Sequence, residues 1–245
     1  MPELADLRIL LIQARNTEDI RTQEQECFRE HCRVRADQIT AVKVQSDPLD
    51  ADILNHADAV MIGGAGEYSA TMSYPWMPAL TDLIRRIADR GMPAFGSCWG
   101  HQIIAGALGG RVIHDSALAE IGCGPMMLTE AGKQDPVFGN FPERFLANMG
   151  HHDRVSELPP GAVELVVSET QGNQAFRMGD LPIYGTQFHS ELDASRMRER
   201  FYRYRWNYPE LADEETFHAL QEGLAETTEV DNLLHDFLME TVIGR

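Results

Sequence analysis

The sequence predicts an α/β fold: a mostly parallel central sheet flanked by helices, with some antiparallel strands and a helical C-terminal appendage. Three observations predict it. Short apolar runs alternate with helix-patterned segments through residues 7–108, as right-handed βαβ units require. Short β candidates separated by turns then crowd residues 111–188, a spacing that suits antiparallel pairing. Helical periodicity returns from residue 196 onward.

Leu7–Ile12 is a continuous apolar run, read as a strand with both faces covered. Asn16-Thr17-Glu18-Asp19 offers caps for a helix that reaches about Arg33, with Ile20, Cys27, Phe28 and Cys32 at helical spacing. Ile39–Val44 and Asp58–Ile62 read as the next strands, the second running into Gly63-Gly64-Ala65-Gly66. Tyr74–Arg90 is a helix with Leu80, Leu83, Ile84 and Ile87 inward, stopped by Gly91 and Pro93. Met92–Gly96 is a strand, and Cys98–Leu108 a helix closed by Gly109-Gly110. Residues 111–114, 123–129, 144–149, 163–168, 174–178 and 183–188 are the short β candidates. Near the C-terminus Met197, Phe201 and Tyr204 share a helix face, with Arg196, Arg200 and Arg203 on the adjacent one. Asn207–Gly244 holds ten acidic residues and no Lys or Arg, so this stretch reads as a solvated appendage docked through Leu220, Leu224, Leu233, Leu234, Phe237 and Leu238. No repeat or linker divides the chain: one domain over 1–245 is expected, with a core of about 7–195 and an extension of about 196–245.

Composition narrows the function. The formal net charge of −17 argues against a nucleic-acid groove or an anionic membrane surface, which need clustered cations. No run is long enough to span a bilayer, and the N-terminus lacks a basic region with an apolar stretch behind it. Four cysteines are too few for a disulfide scaffold at this length, and Cys27 and Cys32 lack Cys-x-x-Cys spacing. A soluble protein of a reducing compartment, the cytoplasm, is expected.

The chemistry centres on Gly96-Ser97-Cys98-Trp99-Gly100-His101-Gln102, between a predicted strand and a predicted helix. Glycines flanking a nucleophile at such a turn let the backbone fold into a sharp elbow. The helix N-terminus places partial positive charge beside the sulfur, and the N–H of Trp99 points where an oxyanion would form. A structural cysteine at a tight turn is the competing reading. A thiol nucleophile needs a base and an orienter. His189 follows the apolar run 183–188 and so projects from a strand end, with Glu191 close enough to fix its tautomer; alone, this pair could be an ordinary surface pair. His151, His152, Asp153, His189 and Glu191 lack the spacing of known metal motifs, and no metal is expected. Gly63–Gly66 lacks the Lys-Ser/Thr of a phosphate loop and the full dinucleotide fingerprint, so no cofactor is expected. Trp76, Trp99 and Trp206 read as packing residues.

Together with Gly185-Thr186-Gln187-Phe188-His189-Ser190-Glu191, the cysteine motif resembles the triad signature of class I glutamine amidotransferases, nearest the amidotransferase domain of GMP synthase and its stand-alone homologues. The resemblance covers about 58–192 and implies a flavodoxin-like architecture. It implies Cys98 as nucleophile, His189 as base and then acid, and Glu191 as its orienter. It implies an oxyanion hole from the N–H groups of Gly64 and Trp99. It also implies a substrate pocket of Gly63, Gln102 and the segment His151, His152, Asp153. Four positions depart from the family pattern: Ala65 and Ser190 stand where proline is common, Gly150 where serine is frequent, and His152 where a glycine is usual.

The implied reaction is hydrolysis of a γ-glutamyl amide through a Cys98 thioester, releasing ammonia or an amine. The substrate is a small γ-glutamyl compound. The chain carries no ATP-binding loop, which leaves either a separate synthase subunit to accept the ammonia or an enzyme acting alone. The C-terminal helices leave room for a homodimer. A non-catalytic or redox-sensing protein on the same fold, with an exposed Cys98, is the alternative from another class.

Overall fold

The computed structural model describes residues 3–244. The parallel half of the sheet contains β1 (Ile9–Gln13), β2 (Ile39–Lys43), β3 (Ala59–Ile62), β4 (Ala94–Ser97) and β11 (Ile183–Thr186). The antiparallel half contains β6 (Glu120–Leu128), β7 (Arg144–His151), β9 (Val163–Ser168) and β10 (Ala175–Arg177). The order is β2-β1-β3-β4-β11-β10-β9-β6-β7, nine strands in all, with parallel pairing from β2 to β11 and antiparallel pairing beyond. This is the mixed sheet the sequence predicts. β5 (Arg111–His114) leaves it and pairs antiparallel with β8 (Asp153–Glu157) in a separate two-stranded ribbon. The sequence pattern does not mark β8 as a strand. It begins inside the segment read as pocket lining.

Four of the five parallel strands are covered on both faces: every residue of β1, β3, β4 and β11 is buried, whereas edge strand β2 has none buried. α1 (Glu18–Cys32) packs Ile20, Cys27, Phe28 and Cys32 inward and ends on Arg33 in the left-handed region. α2 (Met77–Asp89) buries the four apolar residues expected of it but starts three residues later than the pattern suggests. Pro75 disfavours helical backbone at Tyr74. Tyr74 instead stacks on Trp76, ring centroids 5.0 Å apart, and its hydroxyl accepts the Ser69 N–H. α3 (Trp99–Ala107) follows β4 directly, and α4 (Glu130–Gln134) is a single short turn on the antiparallel side.

The helical C-terminal extension comprises α5 (Ala194–Tyr204), α6 (Glu214–Gly223) and α7 (Leu233–Leu238). α5 turns Met197, Phe201 and Tyr204 inward as its spacing requires. Its arginine face is clasped to α1: Arg196 pairs with Glu30 at 2.7 Å, Arg203 with Asp19, and Arg200 donates to the Gln23 side chain. α7 goes deeper than a solvated appendage. Leu233, Leu234, Phe237 and Leu238 are fully buried in the same cluster as Leu7, Ile9 and Phe28, and Phe237 meets Phe95 and Tyr184 edge-on. Trp206 corrects the expectation that all three tryptophans pack: it is 78% exposed and meets the Arg205 guanidinium. Among the described residues, no helix is long and apolar enough to cross a membrane.

Candidate active site

The site forms where the parallel strands end, the usual place for a ligand crevice in such sheets. β4 stops at Ser97, and the next residue, Cys98, has φ 51° and ψ −101° before α3 begins at Trp99. A non-glycine residue in this region is strained, so the surroundings must hold it. They do so through Cys98 N–H, which donates to Thr186 O at 2.7 Å. The flanking glycines are required by space. A Cβ on Gly96 would lie 2.5 Å from the Gly100 carbonyl carbon, and one on Gly100 would lie 2.2 Å from Ile62 O. The elbow expected from the Gly-x-Cys-x-Gly spacing is present, with Cys98 only 6% exposed.

β11 delivers the other half. The chain continues past Thr186 through Phe188, and His189 N–H donates to Asn148 O at 3.0 Å, which pins the loop to β7. His189 Nδ1 lies 2.8 Å from Glu191 Oε1, and the Ser97 hydroxyl donates to Glu191 Oε2 at 2.6 Å. The His189 ring and Cys98 line the same narrow hollow, and both lie against Gly64. Burial opposes charge on His189, but the Glu191 carboxylate and the Cys98 sulfur outweigh it and push its pKa up to about 10. Burial likewise opposes ionised Glu191, yet the His189 charge and the Ser97 hydroxyl bring it down to about 2. The two form a buried ion pair.

The remaining expected residues gather round this line. Trp99 is the first residue of α3, so its N–H has no acceptor within the helix. Gly64 sits against both partners: a Cβ there would lie 3.4 Å from His189 Cε1 and 3.9 Å from Cys98 Cβ. Gly63 faces away, its missing Cβ aimed at the Glu24 carboxylate at 2.7–2.8 Å. The Gln102 amide donates to Asp153 O at 2.6 Å and to Gln187 Oε1 at 3.1 Å. His151 is buried, with Nε2 3.2 Å from Glu120 Oε2 and Nδ1 3.1 Å from Asp153 O. The Asp153 carboxylate accepts from Ser69 Oγ and Ala70 N–H and meets His114 Nδ1 at 2.8 Å. His152 stacks on Tyr208, centroids 5.2 Å apart.

Cys98 borders two hollows. A wide cleft of about 500 Å³ is walled by Trp99, Gln102, Tyr68, Tyr74, His152 and Tyr208. A narrow one of about 40 Å³ lies on the His189 side, under Leu192, Met197, Phe201 and Tyr204 of the α5 region, with Arg15 and Arg200 in its wall. Sequence reasoning misses several of these residues. Ser97 lies inside the motif at a position that carries no residue signal. Gln187 reaches within 3.8 Å of the Cys98 sulfur. Arg15 is fully enclosed, with Nε and Nη2 on Glu24 Oε1 at 2.9 and 2.8 Å, a pair that joins the loop after β1 to α1. Among the described residues, no group of three or more His, Cys, Asp or Glu could hold a metal ion.

Comparison with known proteins gives the family. The family model for glutamine amidotransferase class-I matches residues 22–206. The chain belongs to the class-I glutamine amidotransferase family. One of the subunits of the glutamine-hydrolysing GMP synthase of Thermococcus kodakarensis is 35% identical over 136 residues, covering 54% of this chain and 66% of that protein. The corresponding subunit of Methanothermobacter thermautotrophicus is 30% identical over 159 residues, covering 63% of this chain and 78% of that protein. The match to the first of these thus spans just under two thirds of its length. A glutamine amidotransferase structure from Thermotoga maritima superposes with a TM-score of 0.71 at 23% identity, over 96% of this chain and 98% of that one. One from Methylobacillus flagellatus superposes with a TM-score of 0.70 at 24% identity, over 97% and 94%. These neighbours share the amidotransferase fold, C-terminal helices included.

Proposed function

We propose that the chain hydrolyses the γ-amide of glutamine through a thioester on Cys98 and releases ammonia for a separate synthase subunit in the cytoplasm. One observation carries the reading: His189, hydrogen-bonded to the Glu191 carboxylate, shares a hollow with Cys98 at a strained strand-to-helix elbow. In the reaction, the Cys98 sulfur attacks the γ-carbonyl carbon. The oxyanion is held by the N–H groups of Trp99 and Gly64; in such holes losing one donor costs roughly 100- to 1000-fold in rate. His189 gives its proton to the departing nitrogen, then takes one from the water that releases glutamate. Glu191, steadied by Ser97, keeps the imidazole oriented.

Glutamine as substrate and a synthase as partner are supported by the relatives named as subunits of glutamine-hydrolysing GMP synthase. The size of the His189-side hollow agrees, because about 40 Å³ admits only a few water-sized groups. A redox-sensing thiol has no use for the His189–Glu191–Ser97 relay, which sets the hydrolase reading ahead of it. The test is steady-state release of glutamate and ammonia from glutamine, with mass-detected labelling of Cys98 by diazo-oxo-norleucine. Both are expected to vanish in Cys98→Ser. Hydrolysis at the wild-type rate by that variant would overturn the reading.

A further inference from the structure

Arg200 is the buried charge that the proposed chemistry leaves unused. It is 6% exposed and borders the narrow hollow together with Cys98 and His189. Its Nε donates to Gln23 Oε1, while Nη1 and Nη2 meet no acceptor among the described residues. The Glu24 carboxylate, whose charge acts on Arg200, is engaged elsewhere. It receives Arg15 on one oxygen and Gln13 on the other; Glu67 accepts the Tyr204 hydroxyl at 3.3 Å on Oε1, while its buried Oε2 has no partner among the described residues. Burial, and then the like charge of Arg15, draw the Arg200 pKa below its ordinary value. A guanidinium kept charged in such a place calls for an anion, and planar carboxylate oxygens match its fork.

The position of His189 says which half of a substrate would bring that anion. A general acid must stand beside the nitrogen it protonates. His189 borders the narrow hollow, whereas Trp99 and Gln102 border the wide cleft. The glutamyl half therefore belongs in the cleft and the departing half on the Arg200 side. The hollow has room for roughly three water-sized positions, enough for an acid group but not for a long chain.

We propose that this hollow is a carboxylate subsite in which Arg200 receives the acid group of a small amino acid departing from a γ-glutamyl amide. The inference deepens the hydrolase reading above and rests on it. In the first step the bond from the γ-carbon to nitrogen breaks as the bond to Cys98 sulfur forms, and the amino acid leaves with the proton from His189. Water then cleaves the thioester, returning a proton to His189 and freeing glutamate. No further reactant is needed.

The test compares γ-glutamylglycine with γ-glutamylglycinamide, which lacks only the acid charge. The wild type should show at least tenfold higher kcat/KM for the acid. Arg200→Gln should bring that ratio to about one, and Arg200→Lys should restore part of it. Because turnover could fail for other reasons, the same pair of ligands is titrated calorimetrically against Cys98→Ser with and without Arg200→Gln. A tenfold affinity preference lost with Arg200 supports the subsite even without turnover, in which case only the hydrolase reading falls. A wild-type ratio near one overturns the subsite while leaving glutamine hydrolysis standing. So does a preference that survives Arg200→Gln. A parallel loss for glutamine, acid and amide alike, with the ratio unchanged, would assign Arg200 to the glutamyl carboxylate and also overturn the proposal.

Discussion

The Ser97 hydroxyl lies 2.6 Å from Glu191 Oε2, and the other oxygen of that carboxylate meets His189 Nδ1 at 2.8 Å. The residue immediately before Cys98 in sequence therefore reaches the histidine from behind, through the carboxylate. A hydrogen bond to a buried charge contributes about 1.5–3 kcal/mol.

Ser97→Ala should lower kcat for glutamine hydrolysis on the order of tenfold and shift KM much less, because it loosens the acid–base group without touching the substrate. Steady-state kinetics with an ammonia-coupled assay measure it. A change confined to KM would contradict the relay.

The His189–Glu191 pair makes a pH prediction. Glu191, depressed from 4.5 to about 2, contributes stability that is fully present above pH 4.5 and lost as pH falls toward 2. His189, raised from 6.5 to about 10, contributes stability that is fully present below pH 6.5 and lost as pH rises toward 10. The stability gap between wild type and Glu191→Gln should therefore be widest between pH 4.5 and 6.5 and shrink on both sides. Urea midpoints across pH give the curve, and a gap that grows above about pH 8 would contradict the ion pair.

Gly100→Ala places a methyl 2.2 Å from Ile62 O, which is backbone and cannot swing aside. Overpacking of this kind costs about 1–3 kcal/mol or more, so a lower thermal midpoint and lost Cys98 labelling are expected together. An alanine variant that is as stable and as reactive as wild type would show that the elbow has slack.

Glu24→Ala should destabilise by about 3–5 kcal/mol, since it strands the enclosed Arg15 guanidinium. Replacing both partners, as Arg15→Met with Glu24→Leu, should recover most of that loss. Chemical denaturation of the single and double variants checks it, and equal losses in the two would rule out the stranded charge as the cause.

How much is readable in advance follows from where each signal lies. The cluster of Cys98, His189 and Glu191 is legible because steric demands at the elbow leave glycines at fixed offsets, and because His189 directly follows a buried strand. β1 is legible as an unbroken apolar run, and β2 as a loose alternation of apolar and polar residues. α4 is not, since five residues show no period. Nor is β8, where polar residues such as Asp153 and Arg154 hide a ribbon made only by β5. Arg15, Glu24 and Arg200 are ordinary charged residues in the sequence, and only the chain's path brings them into one buried wall. The four apolar residues of α7 are legible as docking points, but their acidic surroundings conceal how deep in the core they lie.

Phe237 of that last helix rests on Phe95 in β4 and Tyr184 in β11, the two strands that lead into Cys98 and His189. During synthesis those strands leave the ribosome with a gap where the aromatic ring belongs. The strands that carry the cysteine and the histidine gain this aromatic support only once residues 233–238 have emerged. Reactivity of this thiol should thus report whether residues 233–238 have docked.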